Sequence, residues 1–183
     1  IMRIAVHPEL QHKGIGTGLI DFIVRTEKEQ GRDAIGTSFG LNLELLSFWR
    51  KSKFDMVRIG FTREQTSGEH AAIMLHEFST KGAEVKKLAE KQFNDKLELW
   101  FDDVLKDMPP ELKNEFPFNG KKELKLTSFD KKDLDSFVHY SRSYELCISG
   151  INKVVSMNEE KMNEDSFPIS FREVLTGKVI KNL

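Results

Sequence analysis

Over the first eighty residues, short apolar runs alternate with stretches of helical periodicity; beyond them helical periodicity continues almost alone. Met2-Arg3-Ile4-Ala5-Val6-His7 reads as a short apolar strand stopped by Pro8, which cannot donate to a ladder. Gly14 and Gly16 then stand where a helix begins, with Leu19, Ile20 and Ile23 as its apolar stripe and Gly31 as its stop. Ala34 to Phe39 reads as a second strand. Asn42 is placed to cap a helix whose apolar face is Leu45, Leu46, Phe48 and Trp49. Phe54 to Phe61 and Ala71 to Phe78 read as two more strands, joined by the turn-forming Gln65-Thr66-Ser67-Gly68. The order is strand, helix, strand, helix, strand, strand, which is an α/β pattern.

The composition shifts near Ser79, so the chain divides into an α/β portion, residues 1–78, and a helical tail, residues 79–183. A long helix is expected from Lys81, with Val85, Leu88, Phe93, Leu97, Trp100, Phe101, Val104 and Leu105 recurring at helical spacing and Pro109-Pro110 ending it. A loop rich in Pro, Asn, Gly and Lys follows. Thr127 with Asp130 has the spacing of a capping box opening the next helix, whose apolar face is Leu134, Phe137 and Val138. Further helices are expected over Tyr144 to Met157 and Ile169 to Leu175.

A total of 183 residues, 39% hydrophobic and 31% charged, describes an ordinary globular chain, long enough for one medium domain or two small ones. The formal net charge of −1 gives no whole-chain attraction to nucleic acid or membrane, so any such partner would need a local patch. Lys121, Lys122, Lys125, Lys131 and Lys132 could make one, although Glu123, Asp130, Asp133 and Asp135 dilute it and a solvated surface is the simpler reading. The single cysteine, Cys147, excludes an internal disulfide, and the five histidines are scattered, so no metal site is expected. No run is long enough to span a membrane and the start lacks a signal-peptide layout, so a cytoplasmic setting is expected. The opening residues read as a strand already under way, and the chain is expected to be a portion of a longer protein.

The strongest chemical signal is the strand followed by Gln11-x-x-Gly14-x-Gly16 and a helix. Phosphate oxygens need converging N–H donors, which a helix N-terminus offers together with a favourable dipole. Glycines allow the backbone to approach, while His12 and Lys13 add donors. A tight strand-to-helix turn uses glycine for steric reasons too, so the motif alone leaves both readings open. A dinucleotide fingerprint or a triphosphate loop would need Gly-x-Gly-x-x-Gly or Gly-Lys-Ser/Thr, and neither occurs.

Gln-x-x-Gly-x-Gly directly after a strand resembles the acetyl-coenzyme A loop of the GNAT superfamily, and Phe48-Trp49 ahead of Lys53-Phe54 resembles the aromatic pair and Gly-Phe of its following helix. Three segments together, Arg3-Ile4-Ala5-Val6-His7-Pro8, Gly36-Thr37-Ser38-Phe39-Gly40 and Thr66-Ser67-Gly68-Glu69-His70, are similar to the bacterial tRNA(Met) cytidine acetyltransferases. Likeness of this kind implies the C-terminal portion of a GNAT-type mixed sheet with flanking helices, followed by an α-helical tail that would be a candidate tRNA-contacting region. It implies acetyl transfer from acetyl-CoA to N4 of the wobble cytidine of elongator methionine tRNA, coupled to ATP or GTP hydrolysis in an N-terminal module whose triphosphate loop this sequence lacks. No DNA or membrane partner is implied.

Carried over by motif, the cofactor contacts fall on Ile4, Ala5, Val6, Gln11, His12, Lys13, Gly14, Ile15, Gly16, Thr17, Glu44 and Lys51. Lys51 keeps the charge of the arginine usual in the family but loses its fork geometry. The backbone N–H of Val6 or His7 would donate to the thioester oxygen, and His7, ending the strand beside the cleft, is the candidate proton acceptor. Glu69 and His70 form a second candidate pair, on the rim opposite the cofactor loop, and read more simply as turn and strand-start residues or as contacts to tRNA. Where many GNAT enzymes carry a tyrosine to protonate the thiolate, this chain has Phe48-Trp49, so that role is vacant or falls to water; Phe39, Phe48 and Trp49 read most simply as core. Two other functions remain open on the residues alone: a GNAT enzyme acting on a protein or small-molecule amine, and a nucleic-acid or protein-binding module on a vestigial GNAT fold.

Overall fold

Alternation along His70-Ala71-Ala72-Ile73-Met74 puts His70, Ala72 and Met74 on one face of a strand, and all three are buried. In the computed structural model, which describes residues 1, 3–116 and 125–159, this strand is β3, His70–Glu77. It is the centre of a three-stranded sheet, flanked by β1 (Ala34–Gly40) and β2 (Asp55–Arg63) in the order β1-β3-β2. Both neighbours run antiparallel to β3, from Ala34 opposite Glu77 to Gly40 opposite Ala71, and from Asp55 opposite Leu75 to Arg63 opposite His70. The three strands and the turn before β3 match the sequence pattern.

The described residues segregate into two compact units, one within 1–94 and 107–116, the other within 95–106 and 125–159. In the first, α1 (Ile15–Glu29) precedes β1 and α2 (Leu43–Lys51) links β1 to β2. Its core is aromatic. Trp49 stacks on Phe39 at 6.0 Å between centroids and meets Phe54 edge-on at 5.0 Å. Phe54, Ile59 and Met74 are wholly buried, each worth about 1.5–3 kcal/mol of apolar transfer.

Asn42 caps α2 as its sequence suggests, its side-chain oxygen accepting from the Leu45 N–H at 2.9 Å. The helix ends in a Schellman motif: Lys53 N–H reaches Arg50 O at 2.9 Å and Phe54 N–H reaches Trp49 O at 3.1 Å. Lys53 holds the left-handed position, φ 64°.

Two expectations in this unit are corrected. Ile4 to His7 form no strand among the described residues. A strand is a paired state, and the described pairing is wholly antiparallel and confined to the other three segments; Ile1, ahead of this stretch, donates through its N to Gly36 O of β1. On α1 only Ile20 is fully buried, whereas Leu19 and Phe22 are exposed.

The long helix is α3, Thr80–Asp102. Phe93, Leu97, Trp100 and Phe101 are buried as expected, but Val85 and Leu88 are exposed. The inward face of the early turns is set by Gly82, where a Cβ would overlap Asp33 O, and by Lys86, which bonds Asp55 at 2.5 Å and Glu77 at 2.6 Å. Burial works against the Lys86 charge, yet those two carboxylates hold its pKa above the ordinary lysine value. Helical backbone stops at Asp102 rather than at the prolines, and Pro110 instead opens a short helix, α4 (Pro110–Lys113).

In the second unit, α5 (Ser128–His139) opens on the anticipated capping box: Asp130 N–H to Thr127 Oγ1 at 3.1 Å and Thr127 N–H to Asp130 Oδ2 at 2.9 Å. Leu134 packs with Cys147, Ile151 and Val154 of α6 (Tyr144–Glu159). Lys96, at 7% exposure, donates to Asp133 at 2.7 Å and to Leu146 O at 2.6 Å, and Arg142 reaches the other Asp133 oxygen at 3.0 Å. Burial, with Asp133 nearby, pushes the Cys147 thiol up to about 11, so it is a packing residue and not a nucleophile. The helix expected over Ile169 to Leu175 lies outside the described residues. No helix among the described residues is long and apolar enough to cross a membrane.

Candidate functional site

The loop before α1 is built by its own backbone. Pro8 starts a 3-10 turn, Pro8–Leu10, in which Leu10 N–H bonds His7 O at 2.8 Å. Gln11 Nε2 turns back to Val6 O at 3.1 Å, and Lys13 Nζ to Glu9 O at 2.8 Å. His12 and Gly14 both take positive φ, 56° and 80°, which swings the chain into the helix. Gly14 is the N-cap and offers no side-chain acceptor. The first helical bond is Gly18 N–H to Gly14 O at 2.9 Å. The N–H groups of Ile15, Gly16 and Thr17 therefore stand uncapped among the described residues, at the positive end of a 15-residue helix. Three such donors fit a phosphate group.

Gly16 serves a different purpose. Its φ is unremarkable, but a Cβ there would lie 3.3 Å from Phe48 Cε2 and 3.6 Å from Val6 Cγ2. The missing side chain lets α2 and the Ile4–Val6 segment close on the loop. Phe48, which reads as core from sequence, is half-buried and sits at this junction. Glu44, Phe48 and Lys51 are spaced i, i+4 and i+7, so they share one face of α2, with Glu44 and Lys51 about 10 Å apart along the axis. Both flanking side chains are exposed. The structure thus places Val6 and Phe48 around Gly16, with Glu44 and Lys51 on the same helix face as Phe48. His7, exposed, caps the 3-10 turn through its carbonyl. Ile4 and Ala5 have no described backbone hydrogen-bond partner.

The other two resembling segments meet at the end of β1. Glu69 Oε1 accepts from Asn42 Nδ2 at 2.8 Å, and its other oxygen occupies the space that a Cβ on Gly40 would fill. Sequence reasoning missed this link because its partners are 27 residues apart. His70 is buried and bonds Gly60 O through Nδ1 at 2.9 Å. Burial holds its pKa below the ordinary imidazole value; the Gly60 carbonyl opposes this and the Arg63 charge adds to it. His70 is thus a neutral, occupied side chain, whereas Glu69 keeps one oxygen without a polar partner among the described residues.

Of the lysine strip, Lys125, Lys131 and Lys132 are exposed, and Lys121 and Lys122 lie outside the described residues.

Comparison with known proteins gives a consistent result. Residues 23–79 match the family model GNAT acetyltransferase 2. The chain is 40% identical over 156 residues to a tRNA(Met) cytidine acetyltransferase of Nitrosococcus halophilus, covering 84% of this chain and 21% of that protein. It is 30% identical over 162 residues to one of Pyrococcus furiosus, covering 86% and 20%, and 33% identical over 166 residues to one of Haemophilus ducreyi, covering 88% and 27%. The chain therefore spans about a fifth to a quarter of the length of these relatives.

Proposed function

We propose, from the premise that this chain belongs to the GNAT acetyltransferases, that it forms the cofactor-holding part of an enzyme acetylating N4 of the wobble cytidine of elongator methionine tRNA. Use of acetyl-CoA follows from the family. The observation that carries the site is the junction at Gly16: uncapped amides of Ile15, Gly16 and Thr17 beside a helix face bearing Glu44, Phe48 and Lys51. The amides, with His12 and Lys13, would take the pyrophosphate; Gln11 orders the loop through Val6 O; Ile4, Ala5 and Val6 would meet the pantetheine amides; Lys51 would add a charge.

Chemistry at this site is direct transfer. The exocyclic nitrogen attacks the thioester carbon, the carbonyl oxygen gains charge, and the C–S bond then breaks. The Val6 or His7 N–H is the proposed donor to that oxygen. His7 is the proposed acceptor of the proton the nitrogen loses; no tyrosine stands beside Phe48-Trp49, so the role of protonating the thiolate is vacant on this helix or falls to water. The acetyltransferase portion would end near Phe78, where the family match also ends. The tail, residues 79–183, would contact tRNA, and a cytoplasmic protein with ATP or GTP hydrolysis in a module outside this chain completes the reading.

Two measurements test it. Titration calorimetry of this chain should show acetyl-coenzyme A binding that Gly16→Val removes, because its side chain would collide with Phe48 and Val6; unchanged binding in the variant would refute the site. Mass spectrometry of elongator methionine tRNA from a strain deleted for the gene should show loss of N4-acetylcytidine, and its persistence would refute the substrate.

A further inference from the structure

The geometry points to Glu69 as a positioning residue for the cofactor-facing helix, acting through Asn42; this rests on the acetyl-coenzyme A reading above. Asn42 has to satisfy two demands at once. Its oxygen accepts from Leu45 N–H at 2.9 Å, closing the first turn of α2, and its Nδ2 donates to Glu69 Oε1 at 2.8 Å. A carboxylate only accepts and the Leu45 amide only donates, so a single orientation of the Asn42 side chain serves both. Glu69 thereby fixes which end of that amide faces the helix.

Glu69 is itself seated. Its backbone carbonyl accepts from Glu64 N–H at 2.8 Å, and the next residue's carbonyl accepts from Leu41 N–H at 2.8 Å. Its carboxylate tip lies in the space opened by Gly40, a glycine whose φ is not in the left-handed region and whose lack of a side chain is therefore used for room. The end of β1, the cap of α2 and the start of β3 are thus joined through one carboxylate. Glu44 projects from the α2 turn so fixed, two residues after the cap. Glu69 thus places the cofactor-facing side of α2 through Asn42.

Charge swapping separates this from general fold support. Aspartate caps a helix as well as asparagine does, so Asn42→Asp alone should be harmless unless it faces Glu69. With Glu69 opposite, two carboxylates meet at hydrogen-bond distance. Asn42→Asp should weaken acetyl-coenzyme A binding about tenfold, a modest case of misplacing a binding group, and should speed hydrogen exchange at the Leu45 amide. Adding Glu69→Gln should restore both, because a glutamine amide can donate to the carboxylate introduced at position 42. Gly40→Ala, which drives the Glu69 tip from its seat, should reproduce the Asn42→Asp loss. Wild-type behaviour of Asn42→Asp, or no rescue by Glu69→Gln, overturns the proposal. Should the unmodified chain fail to bind acetyl-coenzyme A, the site reading falls, and Leu45 exchange across the same variants still decides the Asn42–Glu69 link.

Discussion

Replacing Lys53 by glycine should stabilise the α/β unit, against the usual cost of placing glycine in a folded chain. Lys53 sits at φ 64° because the Schellman motif ending α2 demands a left-handed residue there. A side chain in that conformation costs about 1–2 kcal/mol. The motif cannot relax to avoid it, since Phe54, the next residue, is wholly buried and packs edge-on against Trp49 at 5.0 Å. The Lys53 side chain is exposed and makes no described hydrogen bond or ion pair, so nothing is lost with it. Glycine adds about 0.4–1 kcal/mol of unfolded-state entropy to be overcome. The net gain is about 0.5–1 kcal/mol, or roughly 1–4 °C in midpoint for a chain of this size. Urea denaturation followed by Trp49 fluorescence, in a Trp100→Phe background, isolates this unit; the slope should stay constant while the midpoint rises. Lys53→Ala is the control, because alanine keeps the strain. A fall in midpoint for Lys53→Gly, or an equal rise for Lys53→Ala, would refute the reasoning.

His70, with its pKa lowered by burial, should make the same unit acid-sensitive. The folded state favours the neutral ring, so this contribution is whole above the unfolded value of about 6.5 and is lost as pH falls through the lower folded value. The urea midpoint should drop between pH 7 and 5 less steeply in His70→Gln, and an NMR titration placing folded His70 above 6.5 would contradict the sign. In the helical unit, Asp133→Ala should cost about 3–5 kcal/mol by leaving the buried Lys96 charge without its carboxylate, held only by Leu146 O, whereas Lys96→Met with Asp133→Leu should recover most of it. Thermal melts of the three proteins decide this, and a loss under about 1 kcal/mol in the single variant would show that water reaches Lys96.

Local features of this fold were legible because their determinants lie within four residues. Asn42 and Leu45, like Thr127 and Asp130, close bonds three positions apart, and both caps form as their spacing suggests. The inward face of α3 was not legible, because hydrophobic periodicity favours Val85 and Leu88 while the contacts are made by Gly82 and Lys86. A glycine and a lysine carry no hydrophobic signal, yet one permits backbone approach and the other spans two carboxylates. The Ile4–His7 stretch has strand composition without a described partner, and composition cannot supply a partner.

The glycines of the site sharpen this distinction. Gly14 is needed for its dihedral, and the turn from loop to helix announces it in sequence. Gly16 and Gly40 are needed for room, and the groups that use that room, Phe48 and Glu69, come from 32 and 29 residues further along the chain. Phe48 accordingly reads as core and Glu69 as a turn residue until the chain is folded. Lys53 is the converse: its left-handed backbone is imposed by bonds to Arg50 and Trp49, and only the resemblance to a Gly-Phe pair hints at it. Dihedral requirements are local and leave a trace in the sequence. Space is a property of two distant segments at once, so the residues that assemble this site, as opposed to those that begin it, become visible only in three dimensions.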